Sequence, residues 1–185
     1  KEVVVKSGYN VDVKSLIEIL AQCVNYSSYE VSIDIKYNRD IKLVNNCILS
    51  NDENRLFLVC SKNKAIIPDS VEVIETGAFA NCASLENLVL GKSLATIEVS
   101  AFDGTSVTKV VLPESVKYVG ANAFNTTPTE GLVTEIYTHF NEAPKGFQDG
   151  WCSDSCKVYL DKQWNHEDTP DRINLLTIYS NGGDY

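Results

Sequence analysis

The chain has 185 residues, of which 44% are hydrophobic and 22% charged, with a formal net charge of −9. A domain of this size buries about 70% of its unfolded surface and needs no staples to fold, and its charge repels phosphate backbones, which excludes general nucleic-acid binding. No apolar run approaches the roughly 20 residues of a membrane-crossing helix. With no methionine and a lysine at position 1, the numbering is expected to start inside a longer product or after a removed leader.

The first 40 residues carry no repeat. "EVVVK" reads as a strand. "DVKSLIEILAQCV" reads as a helix that Asp12 can cap, with Leu16, Leu20, Cys23 and Val24 on one face. "YEVSIDIKY" alternates, placing Val31, Ile33, Ile35 and Tyr37 on one side. The pattern predicts a β-α-β unit over residues 1–43, expected to cover the raw apolar end of whatever follows. "CILSNDENRLFLVC" then predicts a hairpin, Cys47–Ser50 with Arg55–Cys60, around the polar turn Asn51–Asn54.

Beyond it the chain repeats. Ala-Phe occurs at Ala78-Phe79 and recurs 23 and then 22 residues later, at Ala101-Phe102 and Ala123-Phe124. Its neighbours move with it: Ile74, Ile97 and Val119; Val71, Leu94 and Val116; Pro68, Gly91 and Pro113; Ile67, Leu90 and Leu112. Each unit is too small to bury its own apolar face, so stacking is required. Phe79, Phe102 and Phe124 are expected to form one internal column, with segments such as Leu88-Val89-Leu90 paired as parallel strands. Proline suits a strand exit because it lacks a ladder donor.

These residues carry a resemblance. "IPDSVEVIETGAFANCASLENLVL" and "LPESVKYVGANAFNTT" look like the BspA-type leucine-rich repeats of bacterial surface proteins. "VNNCILSNDENRLFLVCSKNKAIIPDSV" resembles the hairpin before a first full coil, and "EIYTHFNEAPKGFQDGWCSDSCKVYLDKQW" a degenerate last coil. The sequence departs from the pattern where Ser100 and Asn122 replace Gly77, and where the later coils lack a cysteine matching Cys82. The resulting expectation is an α+β fold: a short solenoid with parallel strands over residues 44–164, divided into a hairpin (44–65), full coils (66–138) and a degenerate last coil (139–164). Residues 165–185 form a C-terminal cap and tail. The resemblance implies an exported, cell-surface, non-enzymatic protein that mediates adhesion or protein recognition; a spacer that displays another domain is the alternative.

Chemistry-bearing groups are sparse. Cys152 and Cys156, separated by three residues in "WCSDSC", could bridge; the other cysteines read as buried apolar thiols. A nucleophilic pair of Cys152 with His166 has no orienting context. A zinc site from Cys152, Cys156 and His166 lacks a fourth ligand. "SNDEN" and "DKQWNHED" do not match calcium-loop spacing. No cofactor or metal is expected. Asn25-Tyr26-Ser27 and Asn125-Thr126-Thr127 fit the glycosylation acceptor pattern, which means little in a bacterial protein. The remaining candidate is a surface. Asn87, Val89, Lys109, Val111, Glu135, Tyr137 and Tyr159 alternate with inward residues and are expected to line up outward across neighbouring strands, where a monomer meets an unidentified protein or glycan.

Overall fold

The computed structural model of the chain describes residues 2–4, 12–25, 32–35, 38–60, 63–80, 82–125 and 133–163. It is a mostly parallel β-solenoid of about four turns with one helix among the described residues. The expected C-terminal cap and tail, His166, and the side chains of Val31, Tyr37, Cys23 and Val24 lie outside the described residues.

Strand β1 (Glu2–Val4) pairs in parallel with β2 (Ser32–Asp34), and helix α1 (Val13–Asn25) lies between them in sequence. Asp12 caps the helix as its side chain requires. Its carboxylate accepts from Ser15 N (2.9 Å) and Ser15 Oγ (2.7 Å). Those bonds favour the ionised form and hold the carboxyl below its ordinary value. Leu20 of α1 is buried with Ile33, Ile35, Ile41, Ile48 and Leu58.

Ile41, Ile48 and Leu58 belong to three antiparallel strands: β3 (Ile41–Val44), β4 (Cys47–Ser50) and β5 (Arg55–Val59). The predicted hairpin is β4–β5, while β3 is an addition that runs across residues 43 and 44. Its link to β4 is the two-residue loop Asn45-Asn46, with φ of 49° and 62°. A tight hairpin turn needs positive φ at both positions, and asparagine tolerates it better than most residues. The strands are apolar on both faces. Ile48 and Leu58 face the helix, whereas Cys47, Leu49, Leu56 and Val59 belong to the core of the coils. With both faces covered, Cys47, Ile48 and Leu49 are all buried, and the register with β5 shifts between Ile48 and Leu49.

Each subsequent coil contributes two short strands. On one side β7 (Val73–Ile74), β9 (Thr96–Ile97), β11 (Tyr118–Val119) and β13 (Gly146–Phe147) continue the sheet from β5 in parallel, with Ile74, Ile97, Val119 and Phe147 in register. On the other side lie β6 (Lys64–Ile66), β8 (Asn87–Val89), β10 (Lys109–Leu112), β12 (Glu135–Thr138) and β14 (Lys157–Tyr159). A single 3₁₀ turn, Asp161–Gln163, follows β14.

Between the two sides the chain turns a corner at Gly77, Ser100, Asn122 and Gly150, with φ of 66°, 53°, 56° and 68°. The corner is therefore left-handed in every coil, whether or not glycine occupies it. Directly after it come the aromatic rings. Phe79 and Phe102 stack with centroids 4.4 Å apart and Phe102 and Phe124 4.7 Å apart, at 19° and 12°. All three rings are fully buried. One backbone bond per coil accompanies them: Phe79 N to Ala101 O, Phe102 N to Ala123 O, Phe124 N to Trp151 O. The column ends at Trp151, whose ring meets Phe124 edge-on at 84°. In the last coil, Trp151-Cys152 stands where the others have Ala-Phe.

Coil-to-coil approach is tight at the strand exits. Gly91 takes the place of Pro68 and Pro113, and a Cβ there would lie 2.3 Å from the Pro68 carbonyl oxygen. Thr105 fills the slot that Cys82 occupies one coil earlier, and it is fully buried.

Candidate functional site

Strand alternation turns Leu88, Val110 and Ile136 into the core and leaves their neighbours outside. The structure joins five of the seven expected surface residues in one three-stranded sheet, β10–β12–β14. Register puts Lys109, Glu135 and Lys157 in one row, and Val111, Tyr137 and Tyr159 in the next. Asn87 and Val89 sit on β8, which pairs with β6 in a separate sheet, Asn87 beside Lys64 and Val89 beside Ile66. Among the described residues no strand ladder connects β8 with β10.

The first row alternates in charge across the strands. Glu135 Oε2 accepts from Lys109 Nζ at 2.8 Å and from Tyr137 OH at 2.7 Å. The lysine bond first, then the tyrosine bond, holds the Glu135 carboxyl below its ordinary value. Tyr137 is pushed up to about 12, by burial and by donating to that carboxylate. In the second row the Tyr137 and Tyr159 rings stack at 4.9 Å and 12°. The stack fixes two side chains that offer aromatic area with a polar tip.

A groove of about 730 Å³ spans the unpaired seam and brings Val89 and Val111 back together. It is lined by Ile66, Val89 and Val111, by Pro68 and Pro113 at the strand exits, and by the polar side chains of Asp69, Lys92, Glu114 and His139. Sequence reasoning passed over His139. It directly follows β12 as Pro113 follows β10, a positional signal that a search for prolines cannot see. Its Nδ1 lies 3.8 Å from Asp161 Oδ1.

The five cysteines whose side chains are described fall into two groups. Burial pushes the thiols of Cys47, Cys60 and Cys82 up to about 12, which keeps them protonated and inert at neutral pH. Cys152 and Cys156 are half-buried and free, and the Cys156 thiol donates to Lys157 O at 3.9 Å. His166, the partner in the expected nucleophile and zinc alternatives, lies outside the described residues. Among the described residues no group of three or more His, Cys, Asp or Glu is placed to hold a metal ion, and no helix is long and apolar enough to cross a membrane.

Residues 50–134 match the BspA type leucine rich repeat region, in six copies. No curated protein matches the chain. Among solved structures, the chain is similar to the pneumococcal vaccine antigen PcpA at 17% identity with a TM-score of 0.43. The match covers 78% of this chain and 47% of the antigen's, so the chain spans about half of that protein's length.

Proposed function

Because residues 50–134 are BspA-type leucine-rich repeats, we propose that the chain is a non-enzymatic recognition module, displayed at a bacterial surface, that binds a protein or glycan as a monomer. Residues 44–164 form the solenoid. In this reading residues 1–43 cover its first end. The contact face is built from Lys109, Val111, Glu135, Tyr137 and Tyr159, with Asn87 and Val89 across the seam.

The observation that carries this reading is the stacked Tyr137–Tyr159 pair beside the Lys109–Glu135–Lys157 row. Preordered aromatic groups with polar tips lose little entropy on binding. The test is a pull-down and glycan-array screen of the parent chain against Tyr137→Ser/Tyr159→Ser. A ligand captured by the parent and lost in the variant, with an unchanged far-UV spectrum, supports the reading. Equal capture by both sinks it. The spacer reading draws on one observation: Glu135 already satisfies Lys109 and Tyr137 within the chain. Under that reading, replacing the outward residues with serine leaves whole-cell function intact.

A further inference from the structure

One step of the coil stack is latched on one side only. Three strands of the outer side are entered through backbone bonds to the coil before. Glu86 N and Asn87 N donate to Asn63 O at 3.2 and 3.3 Å, Thr134 N and Glu135 N to Thr108 O at 2.8 and 3.1 Å, and Lys157 N to Thr134 O at 2.8 Å. Among the described residues the entry to β10 has no such bond. The same two coils are closed on the opposite side, where Lys117 N and Tyr118 N donate to Ala95 O at 2.8 and 3.2 Å. They are also closed at the corner, where Phe102 stacks on Phe124. β8 and β10 therefore each end a sheet, and a sheet edge presents N–H and C=O groups that a ladder would otherwise use.

The groove of about 730 Å³ opens over these edges. Ile66, Val89 and Val111 each supply one half-buried aliphatic side chain from successive coils. The coil steps measure 4.4 and 4.7 Å at the stacked rings. Two alternate side chains of an extended chain, about 7 Å apart, cover such a row. The groove's charges do not cancel. Lys92 and Asp69 engage each other, with Lys92 N donating to Asp69 Oδ1 at 2.9 Å and Lys92 Nζ 3.9 Å from Asp69 Oδ2. Glu114 is exposed and forms no ion pair among the described residues. The lining carboxylates thus outnumber the lining lysine.

We propose that the β8–β10 seam is a docking groove for an extended peptide segment with aliphatic residues at alternate positions and a lysine or arginine beside them. The open edges bond the peptide's amides, as in strand addition. The aliphatic row takes the alternate side chains, and Glu114 takes the basic one. A glycan lacks the aliphatic side chains this row would cover. The inference rests on the recognition reading and narrows its ligand to a protein, but it does not depend on the tyrosine pair.

The test measures fluorescence anisotropy of three labelled, end-blocked octapeptides titrated with the full chain. The first has valine at alternate positions, with threonine and two lysines between them. The second carries serine for valine, and the third glutamate for lysine. The first is expected to bind, and each of the others at least about tenfold more weakly. Val89→Asp should weaken the first peptide about tenfold or more, and Glu114→Lys about threefold. Ile19→Ser, on the exposed side of the helix, should leave its affinity unchanged. No binding of the first peptide, equal binding of the valine and serine peptides, or full affinity in both groove variants would each overturn the proposal. The parent series is read first, so a variant that fails to fold leaves the peptide preference under test. The peptides are synthetic, so an empty surface-ligand screen and an empty groove are separate results.

Discussion

Phe102 is the middle ring of the column, and its truncation is the sharpest test of the fold. It is fully buried and stacks on both neighbours, at 4.4 Å and 4.7 Å. Phe102→Ala removes the ring and leaves a cavity that flanking coils cannot fill without breaking their own ladders. Such a change costs about 3–5 kcal/mol, which for a chain of this length lowers Tm by roughly 6–20 °C. Phe102→Leu separates volume from stacking. It keeps most of the buried bulk and loses two ring pairs, so it should cost about 1–3 kcal/mol from the stacking alone. Thermal melts followed by far-UV circular dichroism, with urea titrations for the free energies, check both values. An alanine variant that melts with the parent would refute the column as a source of stability. A leucine variant as damaging as alanine would refute the stacking contribution.

Four further outcomes are expected. Ser100→Gly should stabilise the chain, because Ser100 holds a φ of 53° that costs about 1–2 kcal/mol for a residue with a Cβ; the gain is partly offset by unfolded-state entropy, and urea titration reads the remainder. Asn122→Gly should gain less, since asparagine tolerates this conformation and Asn122 Oδ1 accepts from Asn125 Nδ2 at 3.1 Å. Gly91→Ala should lower Tm, because the new methyl group would meet the Pro68 carbonyl oxygen at 2.3 Å and force two coils apart. Glu135→Gln should reduce the pH dependence of stability. The folded-state pKa of Glu135 lies below its unfolded value, so its contribution is present above the unfolded pKa and lost as pH falls through the folded one. Melts across that range should therefore show parent and variant converging in acid.

The features legible in the sequence are those that recur. Phe79, Phe102 and Phe124 announce a column because stacked units must keep equivalent side chains in register. The β4–β5 hairpin was legible because a polar turn separates two apolar runs. What stayed hidden depends on backbone conformation or on substitution within a slot. Strand β3 is announced only by the Asn45-Asn46 turn, a signal weaker than Asn-Gly. The left-handed corner at Ser100 does not follow from residue type, whereas asparagine tolerates the same corner at position 122. Thr105 takes the Cys82 slot although its Oγ1 finds no partner among the described residues, a cost that composition does not reveal. On the outer face, register brings Tyr137 and Tyr159 side by side and their rings stack. Among the described residues β8 and β10 share no ladder, and nothing in the strand sequences sets that pair apart from β10 and β12.

The turned indole at the end of the column sets a limit on growth. A row of parallel rings is a one-dimensional lattice, and any flat ring at its tip would accept another in the same orientation. Trp151 presents its ring edge-on to Phe124 instead, so the lattice has a terminal member that cannot be copied. The indole is held in that orientation by Phe147 as well, whose ring meets it at 5.0 Å and 69°, so the parallel row stops at the last coil.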